Sequence, residues 1–173
     1  MCEGCSSLTI WMARVVAAEM VREAKHFLPL ETGGILLGWR HNGDLIVMGI
    51  IGPGPLAKHK RRSFRPDHGW QMGELQQAFE ASAGDLDYLG DWHTHPDGPA
   101  LMSAADRRTL RRIVRTVSSP RMVIAGSEGS DVAICAWRLG QRRWFAREIL
   151  APDLRIFNPP AAWPAYSSYG VTE

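Results

Sequence analysis

The stretch GDWHTHP at residues 90–96 closes a short apolar run that we interpret as a β-strand over residues 88–92. Because side chains alternate between the two faces of a strand, His93 and His95 point to the same side. The two imidazoles can therefore share one metal ion. Taken alone, the pair is more simply interpreted as a polar strand end that faces solvent.

A carboxylate follows at the spacing of a helix start. Ser103 comes eight residues after His95, and Asp106 three residues later. Asp106 adds a carboxylate oxygen to the two imidazole nitrogens, and all three are ligand types that zinc takes. The same segment predicts a helix with Ser103 as N-cap and Asp106 in its first turn, where the unpaired amides favour a carboxylate. Capping and metal binding are compatible.

Three protein ligands leave one position of a tetrahedral zinc site open, which is the arrangement of catalytic sites. A water bound there has a pKa of about 7 and can act as hydroxide at neutral pH. Such a site also needs a proton carrier. Glu31 stands two residues before the glycine pair Gly33-Gly34, just ahead of a predicted strand. Its carboxylate could take the proton of the water and pass it to a leaving amine. The chemistry predicted is amide hydrolysis.

The chain around these residues alternates predicted strands and helices. Runs with strand character cover residues 8–12, 35–39, 45–51, 88–92, 122–125, 132–137 and 144–149. Three segments have helical periodicity, with buried positions expected at Val16, Met20, Ala24 and Phe27, at Met72, Leu75 and Phe79, and at Leu110, Ile113, Val114 and Val117. We expect a mixed sheet of about six strands with two or three flanking helices, in the α/β class.

The connections carry their own signals. Asn42-Gly43 predicts a hairpin between two of the strands, Asp67 predicts a helix N-cap, and residues 52–66 read as an exposed, mobile loop with a basic cluster. Residues 151–173 are rich in proline and aromatic residues and predict a loosely ordered tail. Residues 1–150 then form a single domain.

Composition excludes several classes of protein. The chain of 173 residues is 45% hydrophobic and 22% charged, which is typical of a globular protein, and its net charge of +2 is too small to indicate binding to nucleic acid or membrane. We therefore expect neither partner. Three cysteines cannot form a closed disulfide framework, so we expect a cytoplasmic protein. The pair Cys2 and Cys5 lacks the two further ligands nearby that a structural zinc site needs.

The order Glu31, His93-x-His95, seven residues, Ser103, two residues, Asp106 resembles the signature of the JAMM (MPN-plus) metallopeptidase family at every fixed spacing. With the segment ETGGILLG at residues 31–38, the resemblance covers about residues 8–137. It implies an MPN/JAB-like fold with cytidine-deaminase-like layering. It also implies that His93, His95 and Asp106 bind Zn²⁺, that Glu31 is the general acid/base, and that Ser103 stabilises the oxyanion.

The segments FRPD at residues 64–67, Trp70-Gln71 and YLGD at residues 88–91 resemble compact bacterial members found in antiphage operons. The resemblance implies an isopeptidase that cleaves after the C-terminal glycine of a ubiquitin-like modifier or releases a conjugated protein, with E1/E2-like proteins as possible partners. Two alternatives stay open: a peptidase that trims sulfur-carrier proteins, and a non-catalytic MPN binding module.

Overall fold

The computed structural model describes residues 9–143 and 146–167. In chain order the elements are β1 Thr9–Ala13, α1 Arg14–His26, β2 Gly33–His41, β3 Asp44–Ile51, β4 Lys58–Lys60, β5 Ser63–Arg65, α2 His68–Ala81, β6 Asp87–His95, α3 Ala104–Ile113, β7 Arg121–Glu128, β8 Asp131–Arg143, β9 Ala146–Leu150, β10 Asp153–Phe157 and β11 Tyr166–Ser167. Cys2 and Cys5 lie outside the described residues. No helix in the described ranges has the length and hydropathy needed to cross a bilayer.

A mixed sheet of nine strands forms the centre of the molecule, in the order β10-β1-β3-β2-β6-β7-β8-β9, with β11 also pairing with β3. Strands β2 and β6 are antiparallel, whereas β6 and β7 are parallel. This confirms the α/β class and the mixed sheet with flanking helices. The expected number of about six strands is too low, chiefly because the C-terminal segment supplies two strands that its sequence does not reveal.

The C-terminal segment corrects the expectation of a loose tail. β10 pairs in parallel with β1 from Thr9↔Asp153 onward, and β11 pairs in parallel with β3 at Tyr166↔Gly49. Between them, Trp163 packs on Trp39 with ring centroids 5.1 Å apart. Residues 153–157 and 166–167 therefore belong to the same sheet, held by partners far away in sequence.

The hairpin and the first helix agree with the sequence. Asn42 and Gly43 adopt φ values of 49° and 91°, as a tight hairpin turn between β2 and β3 requires. Helix α1 buries Val16, Met20 and Ala24 against the sheet. The helix that begins after Ser103 ends at Ile113, one turn before the expected Val117.

Helix α2 faces the sheet differently from the prediction. Asp67 caps it as expected, accepting the Trp70 amide at 3.3 Å. Met72 and Phe79, however, are 37% and 46% exposed, and the helix instead buries Gln71 and Ala78. Gln71 turns inward because its Nε2 donates to the Gly52 carbonyl at 2.8 Å. Met72 and Leu75 of the stripe line an open cleft, which local periodicity cannot distinguish from a core.

Residues 52–66 contain more regular structure than a loop. Strands β4 and β5 pair antiparallel from Lys58↔Arg65 to Lys60↔Ser63 and form a small separate hairpin. The expectation of an irregular loop is wrong for these residues, since strands of three residues leave little periodicity to read. The hairpin lies beside the start of β2, where the Glu31 amide donates to the Lys60 carbonyl at 2.8 Å.

Candidate active site

Three predicted ligand side chains converge at the end of β6. The Nε2 atoms of His93 and His95 lie 3.1 Å apart. The two carboxylate oxygens of Asp106 lie 3.2 Å from His93 Nε2 and 3.4 Å from His95 Nε2. All three side chains are half-buried, with one ligand atom of each lying within 4.8 Å of the others. The end of β6 and the start of α3 thus bring together His93, His95 and Asp106, which the sequence predicted as ligands.

The donor set fits a divalent metal ion. Tetrahedral ligands about 2.0–2.1 Å from zinc would lie roughly 3.4 Å from one another. The observed separations of 3.1, 3.2 and 3.4 Å are close to that edge length. Two imidazole nitrogens and one carboxylate oxygen suit zinc and its first-row neighbours. The residues present therefore fit such an ion, with one side of the site facing the cleft.

The start of α3 orients the carboxylate. The Asp106 amide donates to Ser103 Oγ at 3.2 Å, and the Ser103 amide donates to Asp106 Oδ2 at 2.7 Å, which is the predicted capping box. Burial raises the pKa of Asp106, but the hydrogen bonds from the two histidines outweigh it and leave the pKa far below its usual range. The carboxylate is held as an anion in one rotamer.

The backbone carbonyl of Pro99 orients the His95 ring. Its Nδ1 lies 3.2 Å from the Pro99 carbonyl oxygen. Because a carbonyl oxygen only accepts, the proton of this bond belongs to Nδ1, which leaves the Nε2 lone pair directed at the site. The Ser127 amide in turn donates to the Gly98 carbonyl at 2.8 Å and so fixes the loop that follows β6.

Glu31 lies just before β2 and lines the same cleft as the metal-ligand cluster. The register Gly33↔His93 between β2 and β6 brings its backbone beside the two histidines. Burial raises the pKa of the Glu31 carboxyl above its usual value, and the charges of His93 and His95 oppose that shift. A carboxylate with a raised pKa beside a metal site suits proton transfer.

An open cleft of about 1210 Å³ gives access to all five predicted residues, including Ser103. Apolar side chains of α2 and α3, among them Met72 and Ile113, form its flanks, and residues 61–64 of the β4–β5 hairpin form another wall. Arg61 binds Asp97 with two hydrogen bonds of 3.2 Å and joins this hairpin to the loop after β6. A cleft of this size admits an extended peptide segment.

Comparison with known proteins decides the family. Residues 13–140 match the family model of the prokaryotic homologs of the JAB domain, Prok-JAB. The chain is a Prok-JAB protein. This confirms the resemblance to JAB/MPN proteins that the sequence indicated.

Two relatives are each 35% identical to this Prok-JAB protein over the aligned residues. One is the probable metalloprotease y4qB of Sinorhizobium fredii, aligned over 66% of this chain and 73% of the relative. The other is the CD-NTase/cGAS isopeptidase of Vibrio cholerae, aligned over 69% and 76%. An Escherichia coli protein with the same isopeptidase name is 30% identical over 50% of this chain and 55% of its own length.

A solved structure confirms the fold. The solution structure of a Desulfitobacterium hafniense protein superposes with a TM-score of 0.69 and 20% identity, covering 88% of this chain and 95% of that protein. At that identity the likeness concerns the fold alone.

Several contacts of the site were not predicted from the sequence. They involve Thr32 and Thr94, which hydrogen-bond to each other beside the site, and His59, which bonds to the Glu31 backbone. Alternation along β6 could have shown that Thr94 points away from the two histidines. The sequence carries no signal that Thr94 would hydrogen-bond to Thr32, or that His59 would hydrogen-bond to the Glu31 backbone.

Proposed function

We propose that this Prok-JAB protein is a zinc-dependent isopeptidase that cleaves after the C-terminal glycine of a ubiquitin-like modifier or releases a conjugated protein from its target. The observation that carries the proposal is the convergence of His93, His95 and Asp106 on one point of an open cleft. A purely structural site closes around its ion, whereas three protein ligands at a cleft leave a position for substrate.

The names of the relatives support a substrate class. Two of the relatives described above are CD-NTase/cGAS isopeptidases, and another is a probable metalloprotease. We propose that this chain likewise deconjugates a protein in a bacterial antiphage conjugation system, with E1/E2-like proteins of the same operon as partners. The same chemistry could trim a sulfur-carrier protein, and the experiment below separates these substrates.

His93, His95 and Asp106 would hold the zinc ion. Zinc bound there supplies Lewis-acid polarisation of a carbonyl group and activation of a water molecule at neutral pH. The hydrogen bond between His95 Nδ1 and the Pro99 carbonyl keeps Nε2 free to coordinate. The bond from the Ser103 amide keeps the Asp106 carboxylate turned toward the histidines.

Glu31 and Ser103 would carry the proton and charge movements. The Glu31 carboxylate accepts the proton of the attacking water and returns it to the leaving lysine amine, so the proton count balances over the reaction. Ser103 Oγ uses a lone pair to accept the Asp106 amide. Its own proton remains available to donate to the oxygen of the tetrahedral intermediate.

The cleft walls would bind the substrate chain. Residues 61–64 of the β4–β5 hairpin line the cleft on one side, and Met72 and Leu75 of α2 line another. An extended C-terminal tail can lie along the hairpin edge with main-chain hydrogen bonds. This would give Met72 and Leu75 of the α2 stripe a role at the cleft.

The experiment compares wild type with Glu31→Ala on three amide-linked substrates, with bound zinc measured for both proteins. The substrates are a CD-NTase joined through its C-terminus to a lysine, a ubiquitin-like protein with a C-terminal glycine joined to a reporter, and a sulfur-carrier protein with a C-terminal extension. We expect wild type to cleave one of the first two and Glu31→Ala to cleave none while keeping zinc. Cleavage of only the third would favour the trimming peptidase. Zinc binding without any cleavage would favour the binding module.

A further inference from the structure

The β4–β5 hairpin contacts the backbone of Glu31 on both sides. The Glu31 amide donates to the Lys60 carbonyl at 2.8 Å, and the Glu31 carbonyl lies 2.9 Å from His59 Nδ1. We propose that His59 is a positioning residue that holds the Glu31 peptide in place for proton transfer. This inference rests on the proposed function, because it assigns to His59 an effect exerted through Glu31.

The roles in the second hydrogen bond follow from its chemistry. A carbonyl oxygen has no proton to give, so His59 Nδ1 is the donor and carries its hydrogen. The imidazole is half-buried and lies in a fixed plane. Phe27 at the end of α1 stacks on it with centroids 4.1 Å apart and planes 15° apart, and Phe64 of β5 lies 5.4 Å away on a tilted ring. Two aromatic contacts thus aim the donor at Glu31.

Glu31 needs this support because the sheet does not reach it. β2 begins at Gly33, and the register with β6 also begins there, at His93. Thr32 is held by Thr94, whose Oγ1 accepts the Thr32 amide at 2.9 Å. For Glu31 itself, the backbone bonds come from the hairpin. A catalytic group displaced by about 1 Å can lose on the order of 100-fold in rate, so a lost clamp affects turnover more than binding.

Two substitutions separate the hydrogen bond from the stacking. His59→Phe keeps an aromatic ring against Phe27 but has no donor. His59→Asn loses the ring but places an amide donor near the position of Nδ1. The matched control is His26→Phe, because His26 is exposed and its ring contacts the edge of the same Phe27, with centroids 5.0 Å apart.

For the zinc-loaded protein and the substrate that wild type cleaves, we expect His59→Phe to lower kcat roughly tenfold with KM and zinc content unchanged. His59→Asn should keep kcat within about threefold of wild type, and His26→Phe should match wild type. In a Glu31→Gln background, His59→Phe should cause no further loss, because the two residues act as one unit. A kcat of His59→Phe equal to that of wild type would overturn the proposal. So would equal losses of kcat in His59→Phe and His59→Asn that parallel their losses of thermal stability.

Amide hydrogen exchange tests the clamp without any substrate. In His59→Phe the Glu31 amide, which is bonded to the Lys60 carbonyl, and the Thr32 amide, which shares a peptide group with the Glu31 carbonyl, should both exchange faster than in wild type. The amides of β7 in the central sheet should keep their protection. Unchanged protection of the Glu31 amide would overturn the proposal. If wild type cleaves none of the substrates, the proposed function fails, and exchange still decides whether His59 holds Glu31.

Discussion

Thr32 and Thr94 form a reciprocal pair of hydrogen bonds beside the candidate metal site. The Thr94 amide donates to the Thr32 carbonyl at 2.9 Å, and the Thr32 amide donates to Thr94 Oγ1 at 2.9 Å. Both residues are buried. Thr32 follows Glu31 in the chain, and Thr94 stands between His93 and His95. The pair therefore fixes the distance between the proposed proton carrier and the metal ligands.

Replacing the Thr94 hydroxyl should loosen this link. Thr94→Val keeps the shape of the side chain but removes the acceptor, so the buried Thr32 amide loses its partner. We expect a loss of about 1–3 kcal/mol in the free energy of unfolding, measured by urea denaturation of the metal-free protein. Thr94→Ser, which keeps the hydroxyl, is the control and should lose less. Equal stability of Thr94→Val and wild type would show that the bond contributes nothing.

Removing the Ser103 hydroxyl should affect both stability and turnover. Ser103→Ala removes the helix cap, at a cost of about 1 kcal/mol, and removes the proposed oxyanion donor, for which we expect kcat to fall on the order of 100-fold. Ser103→Thr retains the hydroxyl and should preserve most of both. A stability loss with unchanged kcat would leave Ser103 with its capping role alone.

A methyl group on Gly126 should disturb the support of His95. A Cβ at this position of β7 would lie 2.3 Å from the Ala100 amide nitrogen and 2.4 Å from the Pro99 carbonyl carbon. Gly126→Ala must therefore move the loop whose Pro99 oxygen orients His95. We expect zinc affinity to fall roughly 10- to 100-fold, measured by competition with a chromophoric chelator.

Gly98→Ala is the control for that loop, because a Cβ at Gly98 meets no atom within 4 Å. It should bind zinc like wild type. Unchanged zinc affinity in Gly126→Ala would mean that the position of Pro99 does not control His95.

Asp44 should contribute a pH-dependent part of the stability. Hydrogen bonds from the Thr9 amide at 2.9 Å and Trp11 Nε1 at 3.0 Å lower the pKa of Asp44 from its ordinary 3.8. A folded-state pKa below the unfolded value gives stability that is present above pH 3.8 and is lost as the pH falls through the folded value. Asp44→Asn should therefore lose less free energy of unfolding than wild type on acidification below about pH 4. Parallel curves for the two proteins would contradict this.

The candidate ligands could be found from the sequence because each depends on local geometry. Alternation along one strand places His93 and His95 on the same face, and a capping box within four residues brings Ser103 and Asp106 into contact. The link between Thr32 and Thr94 depends instead on the register of β2 with β6, over a separation of 62 residues. Such contacts between distant segments leave no local pattern.

Two further features that the sequence did not predict also lack a decisive local pattern. Tyr166 pairs with Gly49 in the sheet, but a strand of two residues has no periodicity to reveal it. Met72 and Phe79 have helical spacing, yet both are exposed and Met72 lines the cleft, because spacing reports an apolar face and not what covers it.

The central claim is that His93, His95 and Asp106 hold a metal ion that amide hydrolysis requires, and the zinc content of the purified protein tests it most directly. Elemental analysis should be made on wild type, His95→Ala, and Glu31→Ala as the variant that leaves the ligands intact. We predict about one zinc ion per chain in wild type and Glu31→Ala, as expected for a three-ligand site, and almost none in His95→Ala. A wild-type protein without metal, or a zinc content unaffected by His95→Ala, would contradict the account.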